Sequence, residues 1–191
     1  MLYLTTVFLA ILLFGSANLL FNPTFAQGDP WIPFLLLMIG AAYAFSIDGI
    51  SALLIRRLTP EKWYEPDRVL FTVSKAERNL YNKLKIKAWK DKVPEWGGFT
   101  SFHKDRLASS SDQAYLRRFL IEANYGVVIH IANGVLGILV LLLPPCRYPS
   151  VAIPVFAVNL ILSLLPVAIL RHTSYTLLRL YHRTQRNQHE Q

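Results

Sequence analysis

Apolar residues in this chain come in long unbroken runs rather than in the alternating or helical stripes of a soluble domain. Four runs, residues 2–21, 31–55, 125–143 and 151–170, reach the length of roughly 20 residues that carries an α-helix through a hydrocarbon core. Turn residues separate them: Asn22-Pro23 to Asp29-Pro30 after the first, and Pro144-Pro145 to Pro149 between the third and fourth. No lysine or arginine precedes Arg56, and no clear small-x-small cleavage site follows the first run. It therefore reads as a retained membrane helix and not a signal peptide.

The long polar stretch between the second and third runs carries structure signals of its own. Ser74-Lys75-Ala76-Glu77 has capping-box spacing and predicts a helix on which Leu80, Tyr81, Leu84 and Ala88 share a face, with lysines opposite. Such a helix lies on anionic headgroups with its lysines snorkelling outward, and Trp89 and Trp96 suit the same interface. Ser110 and Gln113 repeat the capping spacing, which predicts a helix running without interruption into the third span, over about 120–143.

The fold class expected is all-α: a polytopic membrane protein with four transmembrane helices and a basic cytoplasmic amphipathic-helix segment between helices 2 and 3. In domain terms this is a transmembrane hairpin over 1–55, the basic segment over 56–118, and a second hairpin over 119–191 ending in a basic cytoplasmic helix.

Composition agrees. A hydrophobic content of 53% with a mean hydropathy of +0.32 is too apolar for an ordinary soluble enzyme or a disordered chain, and the single Cys146 excludes a disulfide scaffold. Charge adds orientation. The net charge is +8, and of the basic residues only Arg147 lies in a short loop. The rest fall between Arg56 and Arg118 or from Arg171 onward. By the positive-inside rule this is a multi-pass protein of the cell membrane with both termini cytoplasmic. Between membrane spans, the basic run Lys83–Lys92 is better matched to membrane lipids with anionic headgroups, or to the phosphates of an acyl carrier, than to nucleic acid.

Two ionisable residues, Asp48 and His130, fall inside the runs, where each is costly and so a functional candidate. Counting from the cytoplasmic ends, Asp48, His130 and Ser163 are each eight residues in, at about 12 Å depth, with Asn133 and Asn159 forming a deeper layer and Glu122 and Arg171 at the surface. Eight residues also keep Glu122 from touching His130 directly. Such layers can act as helix glue through hydrogen bonds. Alternatively His130, oriented by Asp48, is a general base for an acceptor hydroxyl, and Ser163 a nucleophile completing a triad-like set. No ligand spacing points to a metal, and no glycine-rich loop to nucleotide hydrolysis.

The run Trp89-Lys90-Asp91-Lys92-Val93-Pro94-Glu95-Trp96-Gly97, then Phe102-His103-Lys104, Phe119-Leu120-Ile121-Glu122 with His130, and Asn159 to Pro166 with Arg171 resembles the glycosyl-4,4'-diaponeurosporenoate acyltransferase family of bacterial membrane proteins. The likeness covers roughly residues 80–185. It departs at Tyr125 and Val127, where the family places an arginine and a glutamate, and at Arg171-His172-Thr173-Ser174, where the family has Arg-Tyr-Asn-Arg. The resemblance implies acyl transfer to a lipid or glycolipid acceptor at the cytoplasmic leaflet. Glu122 and His130 would activate the acceptor, with Asp48 the third catalytic candidate. Trp89, Lys90, Lys104 and Arg171 would hold an anionic donor or headgroup, with Asn159 and Ser163 as further substrate contacts. The donor expected is an acyl-CoA or another acyl carrier, with no tightly bound cofactor. The competing expectation is a non-catalytic lipid-binding or accessory subunit of a cell-envelope or lipid pathway.

Overall fold

The computed structural model describes residues 2–90, 93 and 112–189. Within them the chain is helical and contains no strand. The helices are α1 (Leu2–Phe21), α2 (Pro23–Ala26), α3 (Ile32–Leu58), α4 (Lys75–Lys83), α5 (Ile86–Trp89), α6 (Gln113–Leu136) and α7 (Pro149–His189), joined by several short 3-10 turns. Four stretches are long and apolar enough to cross a membrane: Leu4–Phe21, Ile32–Leu58, Gln113–Leu142 and Pro149–Asn187. On α1, Leu4, Phe8, Leu9, Leu13 and Leu20 are exposed, as expected of side chains whose solvent is hydrocarbon.

The predicted elements are present, with three corrections. The third span is α-helical only to Leu136 and ends in a 3-10 segment, Gly137–Leu142. The N-terminus of α6 is capped by Asp112, whose Oδ1 accepts from the backbone N–H of Ala114 at 2.9 Å and of Tyr115 at 3.1 Å; Ser110, the expected cap, lies outside the described residues. The basic amphipathic helix is two helices. Ser74 does cap it, its Oγ accepting from the Glu77 N–H at 3.1 Å, but α4 stops at Lys83, and Lys85 takes a left-handed conformation with φ 50° before α5. Of the expected face only Tyr81 is buried, while Leu80, Leu84 and Ala88 are exposed; Ile86, outside that face, is buried as well.

At ~1.5 Å per residue, the 41 residues of α7 extend about 61 Å, roughly twice the thickness of a hydrocarbon core. The fourth span and the basic C-terminal segment are thus one helix, which runs through Pro154 and Pro166 without a break.

The chain divides into two compact units, Met1–Leu53 with Ile131–Leu164, and Leu54–His130 with Leu165–Gln191. In the first, Phe25, Leu37, Val140, Cys146 and Val151 form the core. Its two short loops are tied together: Asn18 Nδ2 donates to the Ser150 carbonyl at 3.0 Å, Asn22 Nδ2 to Ser150 Oγ at 2.9 Å, and Phe25 meets Tyr148 edge-on at 5.1 Å. In the second unit, Leu116, Phe119 and Leu120 of α6 pack on Leu177 and Tyr181 of α7, and Tyr81 and Ile86 pack on Ile169.

Candidate functional site

Each unit assembles polar side chains of its own. In the first, Asp48 on α3 accepts a hydrogen bond from Asn133 Nδ2 on α6, and Asn133 Oδ1 accepts from Ser51 Oγ. Asn159 Nδ2 on α7 donates to the Asn133 backbone carbonyl at 3.2 Å. Asn133 and Asn159 thus meet as their common depth predicts, and the Asp48 carboxylate is engaged from that deeper layer. Ser163 is buried, its Cβ 3.6 Å from where a Cβ on Gly134 would lie. A small residue on each helix is what lets α6 and α7 approach closely here.

The second unit is framed by arginine–glutamate pairs drawn from distant parts of the chain. Arg56, in the last turn of α3, forks onto Glu122 of α6, with Nη2 to Oε2 at 2.7 Å and Nη1 to Oε1 at 3.3 Å. Its guanidinium also lies 5.1 Å from the Tyr125 ring centroid. Tyr125 stacks on Tyr64 with centroids 3.7 Å apart, and Asn124 Nδ2 donates to the Tyr64 carbonyl at 2.9 Å. Arg117 pairs with Glu65 in the same forked manner. Bidentate pairs of this kind fix geometry as well as charge.

Arg171 is heavily committed. Its Nε and Nη2 donate to the two Glu77 oxygens, Nη2 also reaches the Thr72 carbonyl at 3.2 Å, and Nη1 the Leu70 carbonyl at 3.1 Å. Tyr81 donates its O–H to the same Glu77 carboxylate. The Arg171 guanidinium holds the Glu77 carboxyl below its ordinary range, while burial, then the neighbouring Glu77, pushes the Tyr81 phenol up to about 12. One turn on from Arg171, the hydroxyl of Ser174 is buried with no hydrogen-bond partner among the described residues, and so is Nδ1 of His172.

Of the sequence-predicted residues, the structure brings Asp48 to Asn133 and, through Asn133, to Asn159. Glu122 is brought to Arg56, and Arg171 to Glu77. Trp89 is half-buried against the Tyr81–Ile86 core, its indole N–H spent on the Leu84 carbonyl at 2.9 Å, and Lys90 is half-buried beside it. His130 is half-buried on α6. Lys104 lies outside the described residues. Sequence reasoning missed Arg56 and Glu77 as partners. The capping box did place a carboxylate at position 77, but nothing local points to a partner 94 residues away. It also missed the buried hydroxyl of Ser174. Among the described residues, no group of three or more His, Cys, Asp or Glu is placed to hold a metal ion.

A family model described as glycosyl-4,4'-diaponeurosporenoate acyltransferase matches residues 60–183, well over half of the chain. The chain belongs to this family. No curated protein and no solved structure matches it. As a member of an acyltransferase family with four helices able to span a bilayer, it carries Glu122, His130, Asn159, Ser163 and Arg171 within the matched stretch. Asp48, Ser51 and Arg56 fall outside it, so the residues that meet the Asn133 side chain and the arginine that forks onto Glu122 come from α3, which the family match does not reach.

Proposed function

We propose that this chain transfers an acyl group from an acyl carrier to a hydroxyl of a lipid or glycolipid acceptor at the cytoplasmic leaflet of the cell membrane, with both chain termini on that side. The observation that carries the reading is the family match over residues 60–183, which contains both His130 and the Glu122 that Arg56 holds. In the proposed step His130 accepts the proton of the acceptor hydroxyl as its oxygen attacks the acyl carbonyl carbon. The new ester C–O bond forms, the bond to the carrier breaks, and the proton passes to the departing carrier atom. A carboxylate gripped by two guanidinium N–H groups is a poor base, so Glu122 serves as a fixed anion that positions Arg56 and the Tyr125–Tyr64 stack, leaving proton transfer to His130. A non-catalytic accessory role is the second reading. It is favoured by Tyr125 and Val127, which stand where the family has charge and are buried as packing residues.

The test compares His130→Gln with His130→Leu. Glutamine keeps a donor and an acceptor but takes no proton near neutrality. In this reading the glutamine variant folds with a near-native melting temperature in detergent, while the acyl-lipid product disappears from cells expressing it. Full product from a stably folded His130→Gln protein would remove His130 from the chemistry, and unchanged lipid profiles on deletion of the whole chain would favour the accessory role.

A further inference from the structure

Two apolar side chains of the second unit stand in the open on an ordered piece of backbone. Val69 is 89% exposed and Leu70 71%, yet both belong to a 3-10 turn, Val69–Phe71, closed by the Phe71 N–H on the Arg68 carbonyl at 2.9 Å and the Thr72 N–H on the Val69 carbonyl at 3.1 Å. The third residue of the turn, Phe71, is buried and stacks on Tyr64 with centroids 6.0 Å apart. Phe71 thus holds the turn to the protein while Val69 and Leu70 face away from it. Single exposed apolar residues are ordinary, but these two stand at a depth that can be read.

Both ends of the segment 59–72 are tied to places where an apolar run stops, all within the second unit. At its start the Thr59 and Tyr64 hydroxyls are hydrogen-bonded at 2.8 Å, and Thr59 directly follows α3, whose last turn carries Arg56 and Arg57. At its end Arg171 donates to the Leu70 carbonyl at 3.1 Å and to the Thr72 carbonyl at 3.2 Å, and Arg171 is the first residue after the apolar run 151–170. Basic residues that close a span lie at the headgroup level. The segment therefore passes from one span exit to the other along that level, with the Leu70 backbone fixed there by Arg171.

Its other side chains suit the same place. Leu58 and Trp63 are exposed as well, and tryptophan is enriched where headgroups meet hydrocarbon. The acids of the segment are turned to cations of the protein, Glu61 and Glu65 to Arg117 and Asp67 to His182. Lys62 and Arg68 are exposed and complement anionic lipid.

We propose that the Val69–Leu70 turn is an interfacial membrane anchor. Its two side chains enter the boundary between headgroups and hydrocarbon, and Arg68 beside them meets the phosphate of an anionic lipid. The level at which Arg171 holds the turn makes lipid, and not another protein, the occupant. The anchor is independent of the transfer reaction proposed above.

The experiment uses the full chain at low density in vesicles of phosphatidylcholine and phosphatidylglycerol. Val69→Cys and Leu70→Cys carry a bimane label, and the native chain, whose Cys146 is buried, supplies the blank. Arg183→Cys is the aqueous reference, because Arg183 is exposed on α7 about 18 Å beyond Arg171 along the helix. Lipid brominated near the headgroup should quench the labels at 69 and 70 severalfold more than the label at 183, and iodide in the buffer should do the reverse. Omitting phosphatidylglycerol, or adding Arg68→Gln, should move the two labels toward iodide. Iodide quenching at 69 and 70 equal to that at 183 would overturn the anchor by placing the turn in water. Shielding from both quenchers would overturn it too, since a second copy or another protein then covers the turn. Lipid quenching indifferent to both phosphatidylglycerol and Arg68→Gln would refute the phosphate contact.

Discussion

Glu77 and Arg171 show how much of a site can depend on a pair that local sequence does not reveal. Their side chains are 22% and 16% exposed, shielded enough that the pair is worth more than a surface ion pair. Because the folded-state pKa of Glu77 is held below its ordinary 4.5, the associated stability is fully present above about pH 4.5. It is lost as pH falls through the lowered folded value. Glu77→Gln should therefore flatten the acid side of a melting temperature against pH profile, and at neutral pH cost about 1–3 kcal/mol for the lost charged hydrogen bonds. An unchanged acid limb would mean that Glu77 is not the group titrating there. The sequence did make Asp48, Glu122, His130 and Arg171 conspicuous, because charge in or beside an apolar run stands out. It could not say that Arg56 rather than Arg171 faces Glu122. Pairing across 66 or 94 residues is settled by how helices rotate about their axes, which hydropathy does not encode.

At the level of elements, run length was a sufficient guide to α1, which spans the predicted residues, and to the existence of the other three spans. It failed where helices continue past the apolar run. The charged end of α7 is held by Leu177 and Tyr181 packing on α6, and not by hydrophobic periodicity of a span. It failed also at the α4–α5 break, because a lysine in the left-handed region gives no turn signal of the kind glycine or asparagine would. That position yields a prediction. A non-glycine residue there is strained by roughly 1–2 kcal/mol, and glycine removes the strain while adding about 0.5–1 kcal/mol of unfolded-state entropy. Lys85→Gly should thus stabilise the protein slightly, by about 0.5 kcal/mol, and Lys85→Ala should not. A melting temperature lowered by glycine, measured in the same detergent, would indicate a continuous α4–α5 helix.

The whole-molecule question is which side of the bilayer each segment occupies, and here the charge distribution makes the prediction while the structure decides how to test it. The single native cysteine sits in the loop expected outside, but Cys146 is fully buried, its Sγ 3.5 Å from the Leu36 carbonyl, and burial pushes its thiol pKa up. It is therefore a poor reporter, since thiolate and access are both needed for alkylation. The native chain should label weakly with an impermeant maleimide from either side. Residues exposed on either side of the expected boundary serve instead: Gln27 at the end of α2 and Lys75 at the start of α4. In the orientation the charge distribution predicts, with both termini cytoplasmic, Gln27→Cys should be labelled on intact cells, and Lys75→Cys only after permeabilisation. Labelling of both variants on intact cells would sink the four-span arrangement itself, because an odd number of crossings must separate the two positions. The reverse pattern, Lys75→Cys labelled from outside and Gln27→Cys protected, would keep the four spans and locate the error in the charge argument.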